Sequence, residues 1–161
     1  MSYTVLEQYS RDIDYYIYNV TLGLLHFASA GGRLPRVIEA NDIANEQLHE
    51  NISQLPSDFK YITNPNLSEI LGLNQLQLES YLTDFVEIAK KGICSFDKTN
   101  INNPEDQTYH LVAWPENESD KFWWPFDLPF QTNINNIILN RSKIPFSENP
   151  KENWTFTLKL D

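Results

Sequence analysis

Apolar residues in the first part of the chain recur at three- and four-residue spacing: Leu6, Tyr9, Ile13, Tyr16, Val20, Leu24 and Phe27. That period puts them on one helix face and predicts a long opening helix, stopped by Gly31-Gly32 with Pro35 just beyond. Such a face needs covering elements. A second helix is expected from about Pro35 or Asn41 to Leu55, burying Leu48, Ile52 and Leu55 and ending at Pro56-Ser57-Asp58. Asn64-Pro65 reads as a cap and first-turn proline before a short helix through Leu71. Gly72 breaks that helix and Asn74 caps a longer one, Gln75 to Lys91, with Leu78, Leu82, Phe85, Ile88 and Ala89 inward and Gly92 closing it.

After Gly92 the pattern changes to short strands and Asn/Pro/Asp turns. Thr108 to Trp114 is a strand candidate, ended by Pro115 and the acidic turn Glu116-Asn117-Glu118-Ser119-Asp120. Phe122 to Phe126 is placed beside it, restricted to an edge by Pro125 and Pro129. Ile134 to Leu139 is another candidate, and Trp154 to Leu160 alternates strictly, as a half-buried strand does. A length of 161 residues suits one domain and a real core. The expectation is an α+β protein, a single domain over 1–161. A helical half of three to four helices (about 1–92) would pack on a small C-terminal, mostly antiparallel sheet (about 93–161).

The net charge of −10 and pI near 4.6 oppose approach to nucleic acid or an anionic membrane and favour a basic partner. The start, Met1-Ser2-Tyr3-Thr4-Val5, lacks the basic and apolar pattern of a secretory signal, and no apolar run reaches membrane-spanning length. The single Cys94 cannot form an internal disulfide. These features together read as a cytoplasmic protein.

Two surface features stand out. Glu39, Asp42, Glu46 and Glu50 recur at spacings of three, four and four in a stretch without Lys or Arg, and would form one carboxylate ridge if a single helix carried them all. Such a ridge steers a basic partner by long-range attraction, although most charged helix faces are merely solvated. The cluster Phe122-Trp123-Trp124-Pro125-Phe126 holds more aromatic surface than one edge strand buries, so Trp123, Trp124 and Phe126 are candidate interface anchors beside Glu116, Glu118 and Asp120. The plain alternative is a lid on the core.

Catalytic and metal motifs fail on named residues. His49-Glu50 lacks the second histidine of a zinc-protease helix, and His26, His49, His110 and Cys94 have no ligand spacing, so no metal and no cofactor are expected. Ala30-Gly31-Gly32-Arg33 lacks the lysine and hydroxyl of a phosphate loop. Cys94 follows a helix C-terminus, where the dipole opposes a thiolate. His26 reads as a hydrogen-bonded core residue. The corner at Gly72 resembles a helix-turn-helix, but its second helix carries Glu79, Asp84 and Glu87 where a DNA reader needs cations.

Leu55-Pro56-Ser57-Asp58-Phe59-Lys60 after a helix resembles the Leu-Pro-x-Asp-Phe/Tyr signature of SMI1/KNR4-type immunity proteins, without the glycine usually found shortly before it. The resemblance covers six residues and carries over no site. The functional expectation is a non-catalytic acidic binding protein, an immunity or antitoxin-like inhibitor that occludes a basic protein such as a nuclease toxin. A second expectation, from another class, is an enzyme or small-ligand binder with a pocket between helices and sheet, using His26, His110 or Arg33. The third is a DNA-reading regulator through the Gly72 corner.

Overall fold

Where the apolar spacing predicts one long helix, the chain makes one short helix and then a β-hairpin. The computed structural model describes residues 1–19, 23–116, 124–130 and 155–157. Helix α1, Val5–Ser10, begins at Thr4, whose side chain accepts from the Glu7 amide while the Glu7 carboxylate accepts from the Thr4 amide. It stops at Arg11, which is extended. Strands β1 (Asp14–Asn19) and β2 (Gly23–Ala28) follow, paired antiparallel.

The misreading has a physical cause. Tyr15-Tyr16-Ile17-Tyr18 and Leu24-Leu25-His26-Phe27 are almost wholly buried on both faces of the sheet, so they read as continuous apolar runs. A continuous run fills the helical positions as fully as the strand positions, and periodicity cannot separate them. Aromatic and β-branched enrichment favours the strand. Leu6, which the helical face would bury, is 77% exposed.

The remaining elements are α2 (Arg36–Glu39), α3 (Asp42–Ser53), β3 (Tyr61–Thr63), α4 (Leu67–Leu71), α5 (Gln75–Ala89), β4 (Cys94–Lys98), β5 (Thr108–Pro115) and β6 (Thr155–Thr157). There is thus no helical half. The five described helices are short and scattered among the strands, and the sheet is mixed rather than mostly antiparallel at the C-terminal end. Its order is β1-β2-β4-β5-β3, with β6 also paired to β5. The parallel pair β2 and β4 forces a long crossover, and the chain spends α2 through α5 on it.

The expected capping at the α4–α5 corner is present. Gly72 ends α4 with φ 68°, and Asn74 and Gln77 form a reciprocal capping box on α5. Of the later strands, β5 matches the expectation and β6 lies within the alternating segment. The expected strand at Ile134 to Leu139 falls outside the described residues, as do Phe122 and Trp123; the described remainder of that second segment, Trp124 to Phe126, is not a strand. No helix among the described residues is long and apolar enough to cross a membrane.

Register gives the sheet two unlike faces. One carries Tyr15, Phe27 and Phe96, with Tyr15–Phe27 and Phe27–Phe96 stacked at centroid distances of 5.1 and 5.2 Å and Tyr109 edge-on to Phe27 at 5.3 Å. The other carries Tyr16, His26 and Ser95 in one row and Asp14, Ala28, Asp97 and His110 in the next. Helix α3 packs on β1, and α5 packs on β3, β4 and β5.

Phe27→Ala should lower unfolding free energy by ~3–5 kcal/mol, because the ring is fully buried among three other rings. Leu6→Ala should stay within ~0.5 kcal/mol. Urea denaturation of both variants checks the hairpin against the helix, which would bury both residues.

Candidate functional site

The polar face of the sheet is only partly roofed. Between α3 and α5 it opens into a groove of about 470 Å³. Among the described residues four carboxylates line it: Asp12 just before β1, Asp14 at its start, and Asp84 and Glu87 on α5, the last paired with Lys90 at 2.7 Å. Its aromatic wall runs from His49 on α3 through Tyr16 and His26 on the sheet to Phe85 on α5, with neighbouring centroids 5.9, 5.2 and 6.1 Å apart. Lys91 also lines the groove, but its ammonium donates to the Ser53 and Leu55 carbonyls at the end of α3, at 3.3 and 2.7 Å. That charge is committed to the helix terminus, where the dipole favours a cation.

His26 organises the floor. It is 3% exposed, with Nε2 at 2.8 Å from Asp14 Oδ1 and Nδ1 at 2.6 Å from Ser95 Oγ. Burial by itself would raise the Asp14 pKa, but the hydrogen bond from His26 and the fields of His26 and His49 outweigh it and hold the carboxyl below its ordinary value. A Ser-His-Asp set suggests nucleophilic catalysis. Here Ser95 is fully buried and does not line the groove, so no substrate reaches its hydroxyl. The relay fixes the imidazole and the Asp14 carboxylate in place.

A second polar chain lies under α5. Tyr81 donates to Asp97 Oδ2 at 2.7 Å and lies 3.1 Å from His110 Nε2, whose Nδ1 is 3.0 Å from Thr99 Oγ1. A neutral imidazole has one donor and one acceptor, so the chain runs Thr99 to His110 to Tyr81 to Asp97. Burial depresses the His110 pKa to about 4. Burial also pushes Asp97 up to about 6, reinforced by Asp12 and resisted by the Tyr81 and Lys98 hydrogen bonds and by His26.

The sequence candidates part company in space. Glu39 ends α2 and Asp42 begins α3, so no single helix carries the ridge from Glu39 to Glu50. Glu39 accepts from Gln8 Nε2 and pairs with Arg33 at 3.7 Å; Asp42 faces the Met1 amino group at 3.6 Å. Glu46 and Glu50 are exposed on α3 and line a smaller recess of about 300 Å³ beside the groove, and the two cavities share Asp12, Asp14 and His49. Trp124 and Phe126 are half-buried against the core and Glu116 is exposed, while Trp123, Glu118 and Asp120 lie outside the described residues. Among the alternative ligand residues only His26 lines the groove; His110 is fully buried and Arg33 is paired with Glu39.

Sequence reasoning missed Asp12, Asp14 and Asp84. Their signal is long-range: Asp84 meets the other two only because α5 crosses the sheet. Among the described residues no group of three His, Cys, Asp or Glu side chains is placed to hold a metal ion. Compared with family models, curated proteins and solved structures, the chain matches none.

The two buried titrations oppose each other. Asp97, raised in the fold, favours folding below about pH 4 and loses that contribution as pH rises through about 6. His110, depressed in the fold, does the reverse: its contribution is complete above about pH 6.5 and is lost as pH falls through about 4. Asp97→Asn removes only the first. Its urea midpoint should therefore climb more steeply from pH 4 to 6.5 than that of the unsubstituted chain, and an equal slope would show that Asp97 is not held protonated.

Proposed function

We propose that this chain is a non-catalytic acidic binding protein that takes cationic side chains of a basic partner in the groove between α3 and α5. The observation that carries this reading is the gathering of the Asp12, Asp14 and Asp84 carboxylates, with Glu87 and its partner Lys90 at the margin, beside the accessible His49 and Phe85 rings in one concave site. Carboxylates attract a cation over distance, and an aromatic wall accepts its desolvated face and apolar stem. A net charge of −10 extends the attraction beyond contact range.

The most concrete form of the reading is an immunity or antitoxin-like inhibitor that occludes a basic toxin, such as a nuclease, in the cytoplasm, where the lone Cys94 stays a thiol. Inhibition then needs only that the acidic face cover the partner's anion-binding surface. A second reading is favoured by the groove volume of about 470 Å³, which falls in the ~300–1,000 Å³ range of small-molecule sites. In it the occupant is a free organic cation rather than a protein side chain.

Asp12→Asn with Asp84→Asn should weaken binding of polyarginine at least tenfold, or ~1.4 kcal/mol, and flatten its salt dependence, measured by calorimetry from low to physiological salt. The control removes the same charge at Glu69 and Glu79, which are exposed away from the groove. Equal losses from the two pairs would reduce the effect to net charge and sink the groove as the site.

A further inference from the structure

The smaller recess is chemically unlike the groove. Helical spacing sets Asn45, Glu46, His49 and Glu50 along one side of α3, facing Asp12 to Asp14 and the ring of Tyr3. Asn45 is 1% exposed. Its Nδ2 donates to the Asp14 carbonyl at 2.9 Å and to Tyr3 Oη at 3.2 Å, which fixes the amide's orientation. Its Oδ1 has no hydrogen-bond partner among the described residues. A buried amide oxygen without a donor carries a standing desolvation penalty, and a donor that reaches it from the recess relieves it.

The charges around it point to the kind of donor. The Glu46 and Glu50 carboxylates make no hydrogen bond or ion pair among the described residues, unlike those of Glu39 and Asp42 in the preceding turns. Among the described residues Arg11 is the one lysine or arginine lining the recess, beside His49; it is exposed, its side chain makes no hydrogen bond or ion pair there, and four carboxylates outnumber it. Ile13 and Tyr3 supply apolar wall for an aliphatic stem. The required occupant is a cation with several N–H groups spread in a plane, able to meet a neutral amide oxygen and carboxylates together. A guanidinium has five such donors in a fixed fork, whereas an ammonium is a compact, strongly hydrated point charge.

We propose that this recess is a guanidinium subsite, taking an arginine side chain of the partner with Asn45 Oδ1 and the Glu46 and Glu50 carboxylates as acceptors. The proposal rests on the basic-partner reading and adds to it a preference for arginine over lysine. With the neighbouring groove it makes a two-pocket face, so that a partner with two spaced cations gains from both.

Titrating the 15N-labelled chain with acetyl-arginine amide and with acetyl-lysine amide tests it. The arginine compound should shift the Asn45 side-chain amide and the Glu46 and Glu50 backbone signals, and bind at least about fivefold tighter than the lysine compound. Glu46→Gln with Glu50→Gln, both exposed and harmless to the fold, should abolish that preference. Equal binding of the two amides, or arginine shifts confined to Asp84 and Phe85, overturns the subsite while leaving the groove intact. Absence of any shift at Asn45 overturns it too, and the polyarginine comparison of Asp12 and Asp84 then judges the broader reading separately.

Discussion

The stack of Tyr15, Phe27 and Phe96 across three adjacent strands is the constraint on which the rest of the molecule depends. Phe27 sits between the other two rings and is fully buried, and Tyr109 closes on it edge-wise while its hydroxyl meets that of Tyr15 at 2.8 Å. Slipping any one strand by a residue would break the stack and turn its polar partners inward. Side chains alternate with a period of two, so fixing the aromatic face also fixes what stands on the opposite face. Asp14, His26, Ser95 and Asp97 are brought side by side by an interaction in which none of them takes part.

Polar residues on a sheet face under helices demand hydrogen-bond partners, and here they find them in each other. His26 is held by Asp14 and Ser95, and Asp97 and His110 share Tyr81 from α5. Burial drives the last pair toward neutrality, which lowers the penalty of enclosing them. Asp12, Asp84, Glu46 and Glu50 lie outside these networks at the open seam beside α3, where water screens them and an incoming cation is the natural partner. The seam exists because the crossover between the parallel strands must lay its helices on the sheet, and α3 and α5 cover different strands.

Local reading succeeded at the α4–α5 corner but not everywhere: Gly31-Gly32 follows a strand rather than a helix, and α4 begins at Asn66 rather than from an Asn64 cap. The Asn74 cap, the Gly72 stop and the span of α5 rest on contacts within a few residues, whereas the strand at Thr108 is legible from its composition but held by β3, β4 and β6. The hairpin of β1 and β2 reads as a helix in the sequence because both strands, the edge strand β1 included, are buried on both faces, so no polar alternation marks them. The carboxylate ridge failed at Ala40-Asn41, where the chain leaves α2 and restarts as α3. Glu46 and Glu50 were legible as a helix face, whereas Asp12, Asp14 and Asp84 had no local signature because they are far apart in sequence.

The sequence by itself determined the charge, the mixture of helix and strand, the helix caps and the want of a metal or phosphate motif, since composition and short spacing settle these. Only the tertiary structure decided which acids stand together. Glu39 turned inward to Arg33, while Asp12 and Asp14 met Asp84 across a crossover of more than fifty residues. That outcome depends on strand register and on where the helices land, quantities set by packing between distant segments.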